Sequence, residues 1–407
     1  MKSRHEMNLT EGPIFKKLII YALPLMATNI LQLLFNVSDV VVLGFAGYDV
    51  GPVGATGALI NLIIGLFVGL SVGANFLVAK FVGSNEKERS EKVVGMSVLI
   101  ALVVGVILAV VGYFCARIFL SWMDCPDNFL DDATQYMQIY FIGMPIVLLY
   151  NYCAAIMRAV GDTLRPLIYL IIAGVVNVGL NFILTYWQRM GVAGVAIATV
   201  ASQLISVILA LISLFKSNGY SQFKFKNMRI FKTEFIEMVK VGIPAGIQGC
   251  VFALSNVVIQ STINSFGDAA VNGNTIAAQF DGFIYNAMFA VALSCMSFVS
   301  QNLGARNIAR IKRTVWISLL TSAVVGIIFG GIILIVAQPI AGIMTDNPKE
   351  IELCVEQAYY TCHNLFYLRN YGCYEQYYAR FGQIDFGNDN KSFGQLFVQN
   401  SLDTHCL

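Results

Sequence analysis

The sequence predicts an all-α polytopic membrane protein built from two repeated halves. Three observations predict it: a succession of apolar stretches long enough to span a bilayer, an alternation of basic and acidic loops between them, and a partial copy of the first half in the second. Of 407 residues, 57% are hydrophobic and 12% charged, too apolar a balance for a water-soluble domain. The net charge of +2 is not gathered into a basic stripe, so no nucleic-acid partner is expected.

The apolar stretches lie at about 14–45, 52–80, 93–121, 133–157, 164–187, 190–215, 235–265, 271–300 and 314–344. Each is long enough to span with some tilt, about 20 residues being sufficient. Basic loops hold Lys16 and Lys17, then Lys80, Lys87, Arg89 and Lys92, then Arg158 and Arg165, then Lys216, Lys224, Lys226, Arg229 and Lys232, then Arg306, Arg310, Lys312 and Arg313. The intervening loops hold Asp49, the group Asp124, Asp127, Asp131 and Asp132, then Asp268, then Asp346, Glu350 and Glu352, with Arg189 as the basic exception. By the positive-inside rule the amino terminus is cytoplasmic. Residues 1–13 lack the pattern of a cleaved signal peptide.

The first stretch carries the most telling residue. Asp39 sits in a spanning segment, where a carboxylate costs about 2.5–3.5 kcal/mol on insertion scales unless it faces a cavity or a partner. Asn29, Gln32, Asn36 and Asp39 step by three, four and three and so share one helix face, turned to protein or water. For the amides, interhelical bonding is as good a reading as a substrate cavity; for the acid, ion or substrate handling is the better one. Pro24 removes a helical bond to the Ile20 carbonyl and marks a hinge.

The repeat has an offset of about 220 residues. Pro24 matches Pro244, Asn36-Val37 matches Asn256-Val257, and Val78-Ala-Lys-Phe-Val-Gly83 with Arg89 matches Val299-Ser-Gln-Asn-Leu-Gly304 with Arg310. Gly83 and Gly304 read as helix C-caps. The expected organisation is a cytoplasmic amino terminus (1–13), a first lobe of about six helices (14–215), a basic linker (216–234), an incomplete second lobe of three to four helices (235–361) and a polar tail (362–407). After about Thr361 no apolar run follows, as a shifted reading frame or a truncated gene would produce.

Cofactor and enzyme chemistry finds little support. Nine cysteines include no Cys-x-x-Cys pair, and His5, His363 and His405 fall near the termini, so neither a zinc site nor a histidine-based catalytic cluster is expected. No Gly-x-x-x-x-Gly-Lys-Ser/Thr loop occurs, which argues against ATP as the energy source.

Pro24, Val37-Ser-Asp-Val-Val-Val-Leu-Gly44, Gly83, Met157-Arg-Ala-Val-Gly-Asp-Thr-Leu-Arg-Pro166, Val176-Asn-Val-Gly-Leu-Asn181 and Gly191-Val-Ala-Gly-Val-Ala-Ile-Ala-Thr199 together resemble the prokaryotic branch of the multidrug and toxic compound extrusion (MATE) family, collinearly over about residues 12–360. The resemblance implies two six-helix lobes around a central cavity and cation-driven export by alternating access, with no cofactor. It implies a cation-coupling site at Asp39, Asn177, Asn181 and Thr199, the first three serving as metal ligands if the ion is Na⁺ rather than H⁺. Asn181 stands where many relatives carry a second Asp, and Phe252 about where the sodium-driven branch has a Glu. Gln32, Asn36 and Asp281 are candidate cavity residues for a cationic or amphipathic substrate, Asp281 being equally readable as an interhelical bond. The expected protein is a monomeric exporter; a lipid-linked saccharide flippase and an inactive truncated product are the alternatives.

Overall fold

In the computed structural model, residues 6–48, 51–123, 127–264, 268–344, 348–349 and 351–359 are described, and nearly all are helical. The helices are α1 (Ile14–Phe45), α2 (Gly51–Gly83), α3 (Lys87–Trp122), α4 (Asp127–Ile142), α5 (Met144–Ala159), α6 (Leu164–Asn181), α7 (Gly191–Lys216), α8 (Lys232–Asn264), α9 (Asp268–Gly304) and α10 (Ile308–Met344). Residues 351–359 form a further helical segment. Among the described residues seven helices are long and apolar enough to cross a membrane, and α4 with α5 add an eighth span if the pair is counted as one.

Two stretches expected as single helices are not regular. The 133–157 segment is broken at Gly143 into α4 and α5, with a bend of 49°. Pro145, in the first turn of α5, has no N–H to continue the upstream ladder, so the second helix starts afresh. The 164–187 segment ends in a π-helical stretch, Phe182–Trp187, directly after Asn181. Such widened turns recur at functional sites. By contrast, α1 runs through Pro24 without interruption, and Thr28 donates its hydroxyl to the Pro24 carbonyl at 2.8 Å.

The repeat is reproduced at the level of single bonds. After α2, Ser84 N–H bonds the Lys80 carbonyl at 2.9 Å and Glu86 N–H the Phe81 carbonyl at 2.9 Å; after α9, Ala305 bonds Gln301 at 3.0 Å and Asn307 bonds Asn302 at 2.9 Å. The left-handed residues are Asn85 (φ 64°) and Arg306 (φ 56°), so Gly83 and Gly304 are not the caps the sequence suggested. Their smallness serves close approach instead. A Cβ on Gly83 would lie 1.8 Å from the Gln301 carbonyl oxygen, and one on Gly304 would lie 1.9 Å from that of Lys80.

Glycines also set the crossing of α2 with α8. A Cβ on Gly69 would stand 2.3 Å from the Gly246 backbone, and one on Gly73 would stand 2.3 Å from the Met238 oxygen. Between apolar helices, where lipid competes for the same surfaces, small residues at a spacing of four let backbones touch. At the basic end of this crossing, Lys80 pairs with Glu237 at 2.9 Å and Arg89 with Glu234 at 3.2 Å.

The segment before α1 straps the two halves together at the same end. Leu9 is fully buried, and its N–H donates to Gln301 Oε1 at 3.1 Å while the Gln301 amide donates to the Ala159 carbonyl at 2.8 Å. The Arg310 guanidinium donates to the carbonyls of Leu9 (3.2 Å), Glu11 (2.9 Å) and Gly12 (2.9 Å). At the acidic end, Trp122 and Trp187 are highly exposed, as residues of an interfacial aromatic belt are.

Candidate functional site

Asp39, near the end of α1, meets α6 and α7. Asn177 and Asn181 are four residues apart and so lie one above the other on α6. In α7, Gly191, Ala193, Gly194, Ala196 and Ala198 are all buried, and these small side chains let the helix lie close to its neighbours one turn before Thr199. The Asp39 side chain is 3% exposed, with Asn177 and Asn181 buried beside it.

The bonds form a closed set. Asn181 Nδ2 donates to Asp39 Oδ1 at 2.6 Å, and the Thr199 hydroxyl donates to Asp39 Oδ2 at 3.0 Å. Asn181 Nδ2 also reaches Asn177 Oδ1 at 3.2 Å, and Asn177 Nδ2 donates to Thr199 Oγ1 at 3.3 Å. Among the described residues the partners of Asp39 are these neutral groups, and none of the ion pairs includes it. Two oxygens nearby on α6 and its π turn, Asn181 Oδ1 and Thr185 Oγ1, are buried with no bond. Among the described residues, no three His, Cys, Asp or Glu side chains converge. One carboxylate among neutral oxygens suits a proton or a hard cation, not a soft transition metal.

Of the residues expected at the site, Asp39, Asn177, Asn181 and Thr199 come together. Asn29, in the same α1 stripe, donates to the Asn286 carbonyl of α9 at 3.2 Å, whereas Gln32 one turn on is exposed. The Asn36 side chain lies outside the described residues. Asp281 is partly exposed on α9 and close enough to Cys354 for its charge to reach the thiol, which places it beside the 351–359 helix and not among the Asp39 ligands. Thr185, four residues beyond Asn181, was not singled out; its buried hydroxyl lies against Gly194 of α7. Tyr136 and Tyr140 of α4 were missed too; their rings stack at 6.2 Å and lie within electrostatic reach of Asp39.

The family model described as MatE matches residues 24–183 and again 244–376, the second match running past Thr361, where the sequence reading ended the resemblance. The chain is 25% identical over 322 residues to a probable multidrug resistance protein, YoeA, of Bacillus subtilis, covering 77% of this chain and 70% of that one. It is 22% identical over 360 residues to a FAD transporter of Shewanella oneidensis, covering 86% and 78%. In three dimensions it superposes on an outward-facing multidrug resistance MATE family transporter of the MOP superfamily with a TM-score of 0.87 at 19% identity, covering 94% of this chain and 86% of that one. A MATE in a straight conformation gives 0.84 and one in a bent conformation 0.80, both at 19% identity, covering 92% of this chain and 84% and 83% of those chains. A two-lobed helical fold, many spans and a model matching twice agree: this multi-pass membrane chain belongs to the MatE family, whose members are transporters and not enzymes.

Proposed function

We propose that this chain exports cationic or amphipathic organic compounds in exchange for H⁺ or Na⁺, with Asp39 as the coupling acid. The observation that carries the proposal is a buried carboxylate whose partners among the described residues are neutral side chains where α1, α6 and α7 meet. As a carboxylate, Asp39 only accepts. Once protonated, the oxygen facing Thr199 becomes a donor, and the Thr199 hydroxyl must turn its own hydrogen elsewhere. A proton therefore reverses one bond between α1 and α7. Sodium would instead draw in Asp39, Asn177 Oδ1, the unbonded Asn181 Oδ1 and Thr199 Oγ1. Either ion changes how α1 is held at one end, with Pro24 as the hinge toward the other.

The exposed Gln32, between the Asn29 contact and Asp39, supports a wet space beside α1 that receives cargo. We read the amino terminus as cytoplasmic, residues 14–215 and 235–361 as the lobes, 216–234 as their linker, and the monomer as the working unit. The relatives' names support drugs as cargo, while one relative carries FAD. The test is the full chain in liposomes, assayed for ethidium or fluoroquinolone movement under imposed proton or sodium gradients. Gradient-accelerated export supports the reading. Movement of FAD but of neither drug, or export that ignores both gradients, would overturn it.

A further inference from the structure

The linker between the halves is not a loose tether. Phe223 N–H bonds the Leu214 carbonyl at 3.1 Å, Ser90 donates to the Tyr220 carbonyl at 2.7 Å, and Lys87 donates to the Asn218 carbonyl at 2.9 Å. The buried Asn227 packs so closely on α3 that a Cβ at Gly95 would come within 2.6 Å of its backbone. This fixed segment turns one side chain outward at a telling place. On α7, Leu204, Ile208, Ile212 and Phe215 are exposed along one face, which is the face the helix presents to lipid. Phe215 closes that stripe, and Phe225 of the linker, 71% exposed, has its ring centroid 5.0 Å from it, with the buried Phe223 edge-on to both. Ile230, 62% exposed, follows.

Charge surrounds this apolar tip. Glu91 is taken by Lys224 at 2.6 Å, Glu88 by Lys92 at 3.0 Å, and Glu234 by Arg89. Lys216, Lys226, Arg229 and Lys232 are exposed, and none has an ion pair among the described residues, Arg229 resting instead over the Phe231 ring. Glu91 and Glu88 are the acids on the α3 side, Glu91 bonded to Lys224 and Glu88 within electrostatic reach of Lys224 and Lys226, and Glu6 lies against Gly219. An exposed aromatic at the end of a lipid-facing stripe, beside the exposed Lys216, Lys226, Arg229 and Lys232, none of them in an ion pair among the described residues, fits an amphipathic anionic partner.

We propose that residues 215–232 form a binding site for an anionic phospholipid, with Phe225 inserted among the acyl chains and Lys226 and Arg229 on the headgroup phosphodiester. The site is independent of the transport reading. Because the linker is bonded to α3 and α7, a lipid held there anchors that end of the first half to one leaflet.

The test is native mass spectrometry of the full chain in neutral detergent, titrated with phosphatidylglycerol and with phosphatidylcholine. Wild type is expected to prefer the anionic lipid, and the preference to shrink with salt. Since one basic residue near such a surface contributes about five-fold in binding, K226Q/R229Q should reduce the preference about 25-fold. Phe225→Ala should weaken both lipids while keeping the charge preference. The control R306Q/R313Q, on another basic loop, should change little. Equal loss in that control, an unchanged preference in K226Q/R229Q, or displacement of the lipid by millimolar inorganic phosphate would each overturn the proposal.

Discussion

Thr199 and Asn181 divide the work of holding one carboxylate, and the division is measurable. A hydrogen bond to a charged group contributes about 1.5–3 kcal/mol. Thr199→Val keeps the shape but removes both the donor to Asp39 Oδ2 and an oxygen available to Na⁺, so Na⁺ affinity should fall about ten-fold or more whereas proton affinity should not fall, and Thr199→Ser should restore most of the sodium loss. Calorimetric or transport-derived ion affinities check this; equal Na⁺ affinity in the valine variant would remove Thr199 from the site. Asp39 stood out from the residues alone as a carboxylate in an apolar stretch, whereas Asn177, Asn181 and Thr199 were joined to it by the family resemblance, the spacing of four then placing both asparagines on one face. Thr185 shows the limit: a threonine in an apolar run costs little, so it passed unmarked. The stacked tyrosines of α4 were hidden for another reason, since an aromatic pair at that spacing also describes ordinary packing.

At the scale of elements, the crossing of α2 with α8 and the strap before α1 are the features that join the halves. Gly69→Leu must push the α8 backbone away, and the thermal midpoint in detergent should fall by many degrees, a cost of several kcal/mol. Gly331→Ala, on α10 with open space around it, should be neutral or raise stability by up to about 1 kcal/mol. If both substitutions behave alike, close approach is not what the α2 glycine serves. For the strap, Arg310→Lys keeps the charge but cannot span three carbonyls as a guanidinium does. Hydrogen exchange at the Leu9 amide should speed up about ten-fold or more in that variant and further in Gln301→Leu, while α3 amides stay protected. Unchanged exchange at Leu9 would show that the strap is held by other contacts. Of the glycines at such close approaches, Gly83 and Gly304 were marked in the sequence but as caps, because a glycine before a charged loop signals a cap equally as well as a crossing. Only the paired backbone of the other half distinguishes them. The α2–α8 glycines and the strap were not marked at all.

For the whole molecule, the ion pairs that bridge the halves at the basic end are exposed enough to be screened. Glu237→Gln frees Lys80, and the loss should be about 1 kcal/mol or less at low salt and vanish near 1 M salt, read as the thermal midpoint at both. A salt-independent loss would mean that Glu237 acts through packing. The two-lobed fold was readable from the order of spans, the charge of the loops and the duplicated residues, all of which follow from the bilayer acting as solvent. The bend at Gly143 and the π turn after Asn181 were not, since composition and length leave the course of a helix inside the membrane open.

The central claim is that the charge state of Asp39 is what connects the ion gradient to cargo. It is tested most directly by comparing wild type and Asp39→Asn in liposomes for two readouts on the same preparation: drug movement down its own gradient, and the acceleration of that movement by an opposing proton or sodium gradient. The asparagine variant is expected to keep the first and lose the second, because an amide keeps the shape of the side chain but neither ionises nor neutralises a cation. Undiminished acceleration in the variant would contradict the account.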